Sequence, residues 1–279
     1  MRKERDQQFV RTIVPPPTWP SINLGEAFRA RRLLGIFVRR DISSRYRQMA
    51  LGVAWSLLEP LGQLLLISII FGYVIKVPTN GYPYPVFVFA ALIPWLLMSK
   101  SVQSAAGSVL DNISIVTKVA FPRIILPFSA VTKELFDSVI LFVILLIISA
   151  FWGFYPSLRM LIFVPLFLFI ALLALSIGAA FATLSVKYRD FRPMISLGLN
   201  VGYYGTPILY PASLVPAAVL PYFQLNPMYW VVEFARWAIF NHPVEITTSL
   251  YWSLGLTMVL LVGGLTLFAR FEREIADVY

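Results

Sequence analysis

Long apolar runs alternate with short polar segments over most of the chain after residue 54. An α-helix rises about 1.5 Å per residue, so about 20 apolar residues cross a hydrocarbon core roughly 30 Å thick. The runs predict six transmembrane helices, at about residues 55–75, 86–108, 136–155, 160–185, 193–211 and 249–269. The pattern therefore predicts an all-α, polytopic membrane protein.

The fifth of these runs differs from the others because polar, glycine and proline positions interrupt it. It contains Asn200, a tyrosine pair at 203–204, and four positions that weaken a helix: Gly198, Gly202, Gly205 and Pro207. This composition indicates a helix that lines a polar space rather than one that faces lipid.

The region before the first span divides into two parts. Residues 1–20 form a cytoplasmic tail that ends in a proline-rich linker, whose prolines lack backbone donors and cannot join a helix interior. Residues 21–54 are predicted to form an amphipathic helix on the inner leaflet, with Asn23 and Glu26 at capping-box spacing. The alternative is a simple basic flank of the first span. Residues 55–279 form the six-span domain.

The segment between the fifth and sixth spans is too apolar for a solvated loop and too interrupted for a span. Two short pieces, at about residues 212–220 and 227–240, are predicted to dip into the outer leaflet and return. Such a re-entrant segment, about 212–240, requires protein to cover its broken backbone. A folded external cap on the membrane surface is the alternative.

Basic residues set the orientation of the spans, because cytoplasmic loops carry an excess of Lys and Arg. Of the 23 Lys and Arg residues, 20 lie in the N-terminal region, at the end of span two or between spans two and three (99–135), between spans four and five, or after span six. The other three, Lys76, Arg159 and Arg236, lie on the opposite side. Both termini are therefore predicted to be cytoplasmic.

Two charged residues fall within or beside the predicted spans. Lys100 lies about 21 Å along the second span, near enough to the inner interface for its stem to reach polar surroundings. Glu59 lies at the cytoplasmic edge of the first span. It is either a functional intramembrane acid or an interfacial carboxylate paired with a cation.

Composition excludes several classes of function. The chain is 58% hydrophobic and 13% charged, and its net charge of +9 comes from residues that border spans, not from a basic domain for nucleic acid. It has no cysteine, and its one histidine, His242, lies beside Asn241 and Pro243 as loop histidines do, so no metal or cofactor site is expected. It also lacks a phosphate-binding G-x-x-x-x-G-K-[ST] loop, so ATP hydrolysis would require another chain.

Four sequence blocks, in order, resemble the ABC-2 type permeases, and the resemblance covers nearly the whole chain. The blocks are RDISSRYRQMALGVAWSLLEP at 40–60, KVAFPRIILP at 118–127, VKYRDFRP at 186–193 and LNPM at 225–228. They are most similar to the branch that exports O-antigen and related polysaccharides on lipid carriers, with teichoic acid exporters as relatives. The resemblance implies a multi-pass permease of the bacterial inner membrane that is not itself an enzyme.

The resemblance also implies partners. In this family two permease chains form a homodimer around the channel, and two copies of a separate ATP-binding subunit bind ATP and Mg²⁺. The segment at about residues 111–127 would be the coupling helix that docks into a groove on that subunit. The residues expected at this contact are Lys118, Phe121, Pro122, Arg123 and Pro127. The two prolines are expected to set the ends of a short helix and its exit; an ordinary basic turn is the alternative.

Substrate contacts follow from the same resemblance. Aromatic side chains line such channels because they stack on the apolar faces of sugar rings, and the candidates are Phe71, Tyr73, Tyr203, Tyr204 and Tyr210. Arginine binds phosphate through paired donors, so the diphosphate of a polyprenyl-linked glycan is expected to meet Arg40, Arg45 and Arg47 at the cytoplasmic entrance.

Other functions remain as alternatives. A related ABC-2 exporter could move teichoic acid, capsule, lipid or drug. A membrane glycosyltransferase or acyltransferase would need an acid pair or a histidine in a water-filled site, and the sequence offers neither in evident form. A secondary transporter would show buried charge pairs and internal repeats.

Overall fold

The computed structural model describes residues 30–47, 53–119, 121–188 and 190–272, with the backbone alone for residues 44–47 and 53–56. The α-helices in this part of the chain are α1 Arg31–Arg47, α2 Val53–Ile67, α3 Tyr84–Asp111, α4 Ile113–Val116, α5 Ile125–Phe151, α6 Phe163–Lys187, α7 Phe191–Tyr204, α8 Leu220–Leu225, α9 Pro227–Phe240 and α10 Ser249–Phe271. A π-helical segment, Ser68–Val74, continues α2, and 3₁₀ turns lie at Leu158–Ile162 and Ala212–Leu214. The described residues contain no β-strand, which confirms the predicted all-α class.

Five helical segments in the described residues are long and apolar enough to cross a membrane. They are Leu57–Val74, Tyr84–Asp111, Ile125–Phe151, Leu158–Lys187 and Ser249–Phe271. They coincide with five of the six predicted spans, and the chain is a polytopic membrane protein. The third begins about ten residues earlier than the sequence predicted.

The predicted fifth span takes a different form. Helix α7 has 14 residues, about 21 Å at 1.5 Å per residue, and residues 205–211 after it form a turn. The helix alone is shorter than the hydrocarbon core, so a sixth crossing at residues 193–211 stays a prediction. The glycines and Pro207 that weakened the pattern lie around the end of this helix.

Helix α3 forms the centre of the molecule. It packs against α5, α6, α7 and α9, and most of its side chains from Val86 to Val109 are buried. Small residues permit the closest approaches. A Cβ on Gly178 of α6 would lie 2.5 Å from the Cβ of Ala105 in α3, and such close contacts are typical of membrane helix packing.

Helix α1 confirms that the N-terminal region is helical rather than a plain basic flank. Its Phe37 is buried, and its Asp41 accepts a hydrogen bond of 3.1 Å from Ser129 in α5. The helix therefore packs against the N-terminal part of the third span. The tail at 1–20 and the predicted capping box lie outside the described residues.

The segment from 212 to 240 contains the two helices α8 and α9. Asn226 caps α9 by accepting from the Met228 N–H at 3.0 Å, and Pro227 occupies the first helical position, where its missing donor has no cost. The Asn226 side chain also donates to Thr206 at 2.8 Å. The block at 225–228 thereby joins the start of α9 to the turn after α7, and a re-entrant position for this segment stays a prediction.

Candidate functional site

A groove of about 610 Å³ separates α2 from α7. Three of the five predicted aromatic residues, Phe71, Tyr203 and Tyr204, lie on its wall. The other lining residues come mainly from one face of α2: Leu58, Glu59, Gly62, Gln63, Leu66, Ile67 and Leu209. Between Glu59 and Phe71 the wall extends about 18 Å along the helix axis. The groove is thus long, largely apolar and aromatic toward one end.

The remaining two aromatic candidates lie elsewhere. Tyr73 is 79% exposed and is not part of the groove wall. Tyr210 is half-buried and donates to the carbonyl of Tyr204 at 2.8 Å, so it supports the end of α7. The structure therefore brings three of the five candidates together.

Packing behind the groove holds the tyrosine pair in place. Tyr203 meets the edge of Trp95 of α3 with ring centroids 5.9 Å apart, and a Cβ on Gly202 would lie 2.9 Å from that indole. At the following turn, Tyr84 donates to the carbonyl of Leu209 at 2.9 Å. The central helix thus fixes both α7 and the turn that follows it.

The predicted coupling segment contains a short helix, but its position differs from the expectation. Helix α4, Ile113–Val116, lies before both prolines. Pro122 precedes α5, and Pro127 lies in the first turn of α5, where backbone donors have no partner within the helix. The expectation that the prolines bound the short helix is wrong, because they mark the entry into the third span.

The coupling candidates differ in what they contact. Lys118 is exposed, whereas Pro127 is buried within α5. Phe121 stacks on Phe37 of α1 at 5.6 Å. Arg123 is bound to Glu272, which accepts the Arg123 backbone N–H at 2.9 Å and also binds its guanidinium through its carbonyl. The segment is therefore joined both to the surface helix and to the end of the last span.

The three arginines proposed for the diphosphate lie near the end of α1. Arg40 donates to Asp41 at 2.8 and 2.9 Å and covers the Phe37 ring at 4.7 Å, so its guanidinium is engaged within α1. Arg45 and Arg47 belong to the last turns of α1, and their side chains lie outside the described ones. Arg40, whose side chain is described, does not line the groove.

A buried ion pair that the sequence did not predict lies between α9 and the N-terminal part of α3. Arg236 of α9 lies 3.3 Å from Glu233, and its guanidinium stacks on the Phe87 ring at 3.7 Å and donates to the Ile208 carbonyl at 3.0 Å. Burial lowers the pKa of Arg236 to about 10, while Glu233 opposes the shift, so the group stays charged at neutral pH. A cavity of about 320 Å³ adjoins the pair.

A second buried acid was also missed. Glu134 of α5 is 3% exposed, accepts from Ser104 of α3 at 2.8 Å and lies 3.2 Å from Lys133. The sequence had placed the third span after this residue, so its acid was assigned to a cytoplasmic turn. In the part of the chain that the structure describes, no group of three His, Cys, Asp or Glu side chains is placed to hold a metal ion.

Most of the chain matches a known protein family. Residues 32–240 match the ABC-2 type transporter family. The chain is similar to the O-antigen export system permease protein RfbA of Myxococcus xanthus, with 28% identity over 254 residues, 90% of this chain and 97% of the relative. The protein of the same name from Klebsiella pneumoniae is 27% identical over 92% of this chain and 97% of its own length. The polysialic acid transport protein KpsM of Escherichia coli is 25% identical over 84% of this chain and 91% of its own.

Proposed function

The chain belongs to the ABC-2 type transporter family, and on that premise we propose that it is the permease subunit of an O-antigen-like polysaccharide exporter. It is a multi-pass protein of the bacterial inner membrane. The polysaccharide would cross that membrane on a polyprenyl diphosphate carrier, driven by ATP hydrolysis in a separate subunit. The similarity to O-antigen and polysialic acid permeases supports the substrate class.

The aromatic groove is the observation that carries the proposal within this chain. Phe71, Tyr203 and Tyr204 lie on a wall whose other members are mainly aliphatic, with Glu59 and Gln63 as its polar side chains. Aromatic faces bind the apolar faces of sugar rings without requiring one linkage, while the aliphatic wall suits a lipid chain. We propose that two copies of the chain enclose the translocation path and that this wall faces it.

We propose that the predicted cytoplasmic segment at 111–127 docks on a partner ATPase, present in two copies. Lys118 and Val119 are exposed next to α4, whereas Phe121 and Arg123 connect the segment to α1 and to the end of α10. A displacement of this segment by the ATP-binding subunit would therefore be transmitted to both α1 and α10, the sixth predicted span. Arg40, Arg45 and Arg47 remain candidates for the first contact with the carrier's diphosphate.

Cysteine cross-linking tests the partner contact in this naturally cysteine-free chain. Val119→Cys, 55% exposed in the structure, is expected to cross-link to cysteines in a groove of the co-expressed ATP-binding subunit, in a nucleotide-sensitive manner. Ile124→Cys, at a site only 8% exposed, is the matched control and is expected not to react. A co-purified, ATP-hydrolysing complex that gives no Val119 cross-link would contradict the coupling assignment.

Surface polysaccharide measured in whole cells tests the glycan contact. Tyr204→Leu keeps apolar volume but removes the aromatic ring. Loss of one ring that stacks on a sugar, worth about 1 kcal/mol, is expected to reduce export roughly fivefold. Tyr204→Phe should retain export. Tyr155, equally exposed but outside the groove wall, supplies the control Tyr155→Leu. Equal losses for both leucine variants would remove the groove from the path.

A further inference from the structure

Among the described residues that line the groove, Glu59 is the one that carries a charge. It lies in the second turn of α2, and its side chain is 66% exposed. The ammonium of Lys100 in α3 donates to its carboxylate at 2.9 Å. The sequence left open a functional acid or a paired carboxylate, and the structure supplies the pair.

Lys100 occupies an unusual position in the central helix. No charged residue precedes it in α3, and its neighbours Leu97 and Val102 are each 1% exposed. It lies about 24 Å along the axis from Tyr84, toward the end of α3 that the basic residues assign to the cytoplasm. The Lys100 side chain is 26% exposed, and its ammonium, although not itself part of the groove wall, lies 2.9 Å from the Glu59 carboxylate that is.

The pairing leaves this cation available for exchange. A primary ammonium carries three donors, and in the described residues Lys100 makes one side-chain hydrogen bond, to Glu59. An ion pair whose carboxylate is largely exposed contributes little to stability. A diphosphate offers more charge and more acceptor oxygens than one carboxylate, so it competes well for the same ammonium.

We propose that Lys100 binds the diphosphate of the lipid-linked substrate in the groove, and that Glu59 occupies this cation when the groove is empty. This inference rests on the proposed function. The aliphatic wall from Leu58 to Ile67 would contact the polyprenyl chain, and the aromatic wall beyond it would receive the sugars. Arg40, already bound to Asp41, lies outside this wall.

A structural role for the ion pair makes a different prediction. If the pair serves only to hold α2 against α3, removing either partner weakens the same contact, and both neutral variants change binding in the same direction. If Glu59 competes with the ligand, the two variants act in opposite directions. The sign of the two effects therefore separates the roles.

Equilibrium binding of radiolabelled geranylgeranyl diphosphate tests the proposal. The probe is added to the full permease–ATPase complex in phosphatidylcholine nanodiscs, where anionic headgroups do not compete. Lys100→Gln is expected to raise Kd about fivefold to tenfold and Glu59→Gln to lower it about threefold, as loss of one attractive or one competing charge predicts. Lys100→Arg should bind nearly as the unsubstituted chain does. Arg192→Gln, in an exposed pair with Asp111 outside the groove, is the matched control and should leave Kd unchanged.

Four outcomes would overturn the site. Parallel changes for Lys100→Gln and Glu59→Gln would make the pair structural. Equal binding of geranylgeraniol would show that the tail alone is recognised, and equal, Lys100-dependent binding of inorganic pyrophosphate would indicate a free-phosphate site. Absence of binding by the lipid diphosphate would also contradict the proposal.

Export of polysaccharide, measured separately in cells, distinguishes failure of this site from failure of the proposed function. Export that persists while the neutral variants act in parallel would refute this site and leave the proposed function standing. Opposite effects on diphosphate binding, in a system where no polysaccharide reaches the surface, would support the site and refute the proposed substrate class.

Discussion

Helices α2 and α3 have similar apolar composition but opposite surroundings. In the most apolar 18-residue stretch of Leu57–Val74, 11% of the residues are buried, against 89% for the corresponding stretch of Tyr84–Asp111. In a membrane, lipid tails are as apolar as leucine, so hydrophobicity places a helix in the bilayer without assigning it to the protein interior. The two helices differ in their small residues, which permit close packing. Those of α3 include Ala90, Ala91, Ala105, Ala106 and Gly107.

The exposed helix is therefore the one available for substrate and partner. Leu65, outside the groove wall, is 61% exposed. The other face of this helix forms the groove with α7. A central, closely packed α3 thus supplies a rigid support, and α2 supplies a surface that can contact a ligand, lipid or a second copy of the chain.

The largest effect is expected at the buried ion pair that packs against the N-terminal end of α3. Arg236→Ala leaves Glu233 and the Ile208 carbonyl without their partner, which is expected to cost about 3–5 kcal/mol. Unfolding by SDS in mixed micelles measures the loss. Arg192→Ala breaks an exposed pair at the other end of α3 and should cost at most about 1 kcal/mol. Similar losses of stability for both variants would show that burial does not decide how much breaking an ion pair costs here.

Truncation of one leucine in each helix tests the comparison directly. Leu97 of α3 is 1% exposed, so Leu97→Ala should destabilise the protein by about 2–5 kcal/mol through lost contacts and a cavity. Leu65→Ala in α2 should change the free energy of unfolding by less than about 0.5 kcal/mol. The same SDS titration reports both. Equal destabilisation would show that α2 is packed as closely as α3.

Substitutions that add side-chain volume should lower stability by less than truncation of Leu97 does. Gly178→Val places methyl groups between α6 and α3, where the first added carbon already meets Ala105, and overpacking of this kind costs about 1–3 kcal/mol. Gly62→Val in α2 is the control, because no atom lies within 4 Å of a Cβ there. Thermal unfolding followed by size-exclusion chromatography compares the two. A greater loss at Gly62 would reverse the assignment of core and surface.

The smallest effect is expected at the contact between the coupling segment and α1. Phe121→Leu removes the stack on Phe37 and should cost about 0.5–1.5 kcal/mol of stability. ATP hydrolysis and export, measured together, should become less tightly coupled. Tyr155→Leu, at an exposed position outside the coupling segment and the groove wall, should leave their ratio unchanged. An unchanged ratio in the Phe121 variant would show that the stack plays no part in transmission.

Much of the helical architecture could be predicted from the sequence. The N-terminal helix and five spans were predicted, because an apolar run of the length of the bilayer has few other stable conformations. The sequence also named Phe71, Tyr203 and Tyr204, which the fold then brings to one groove. It placed Tyr73 and Tyr210 in the same set, since residue type and proximity in sequence do not reveal which way a side chain points.

Tertiary structure decided the partners of the charged residues. Glu59 and Lys100 are 41 positions apart, Arg123 and Glu272 are 149 apart, and no local pattern joins them. The same is true of Arg236 with Phe87, where a cation counted toward topology is buried against an aromatic ring. These contacts depend on how the helices cross.

The sequence by itself determined that this chain is a helical membrane protein, where its apolar helices lie and which family it resembles, because local composition and short motifs suffice for each. Only the tertiary structure decided that α3 is the core and α2 the exposed wall. It also decided that Pro122 and Pro127 begin a span and that Glu59 meets Lys100 at the groove. The physical reason is that lipid and protein interior favour the same apolar side chains, so burial is settled by close packing between helices and by paired charges.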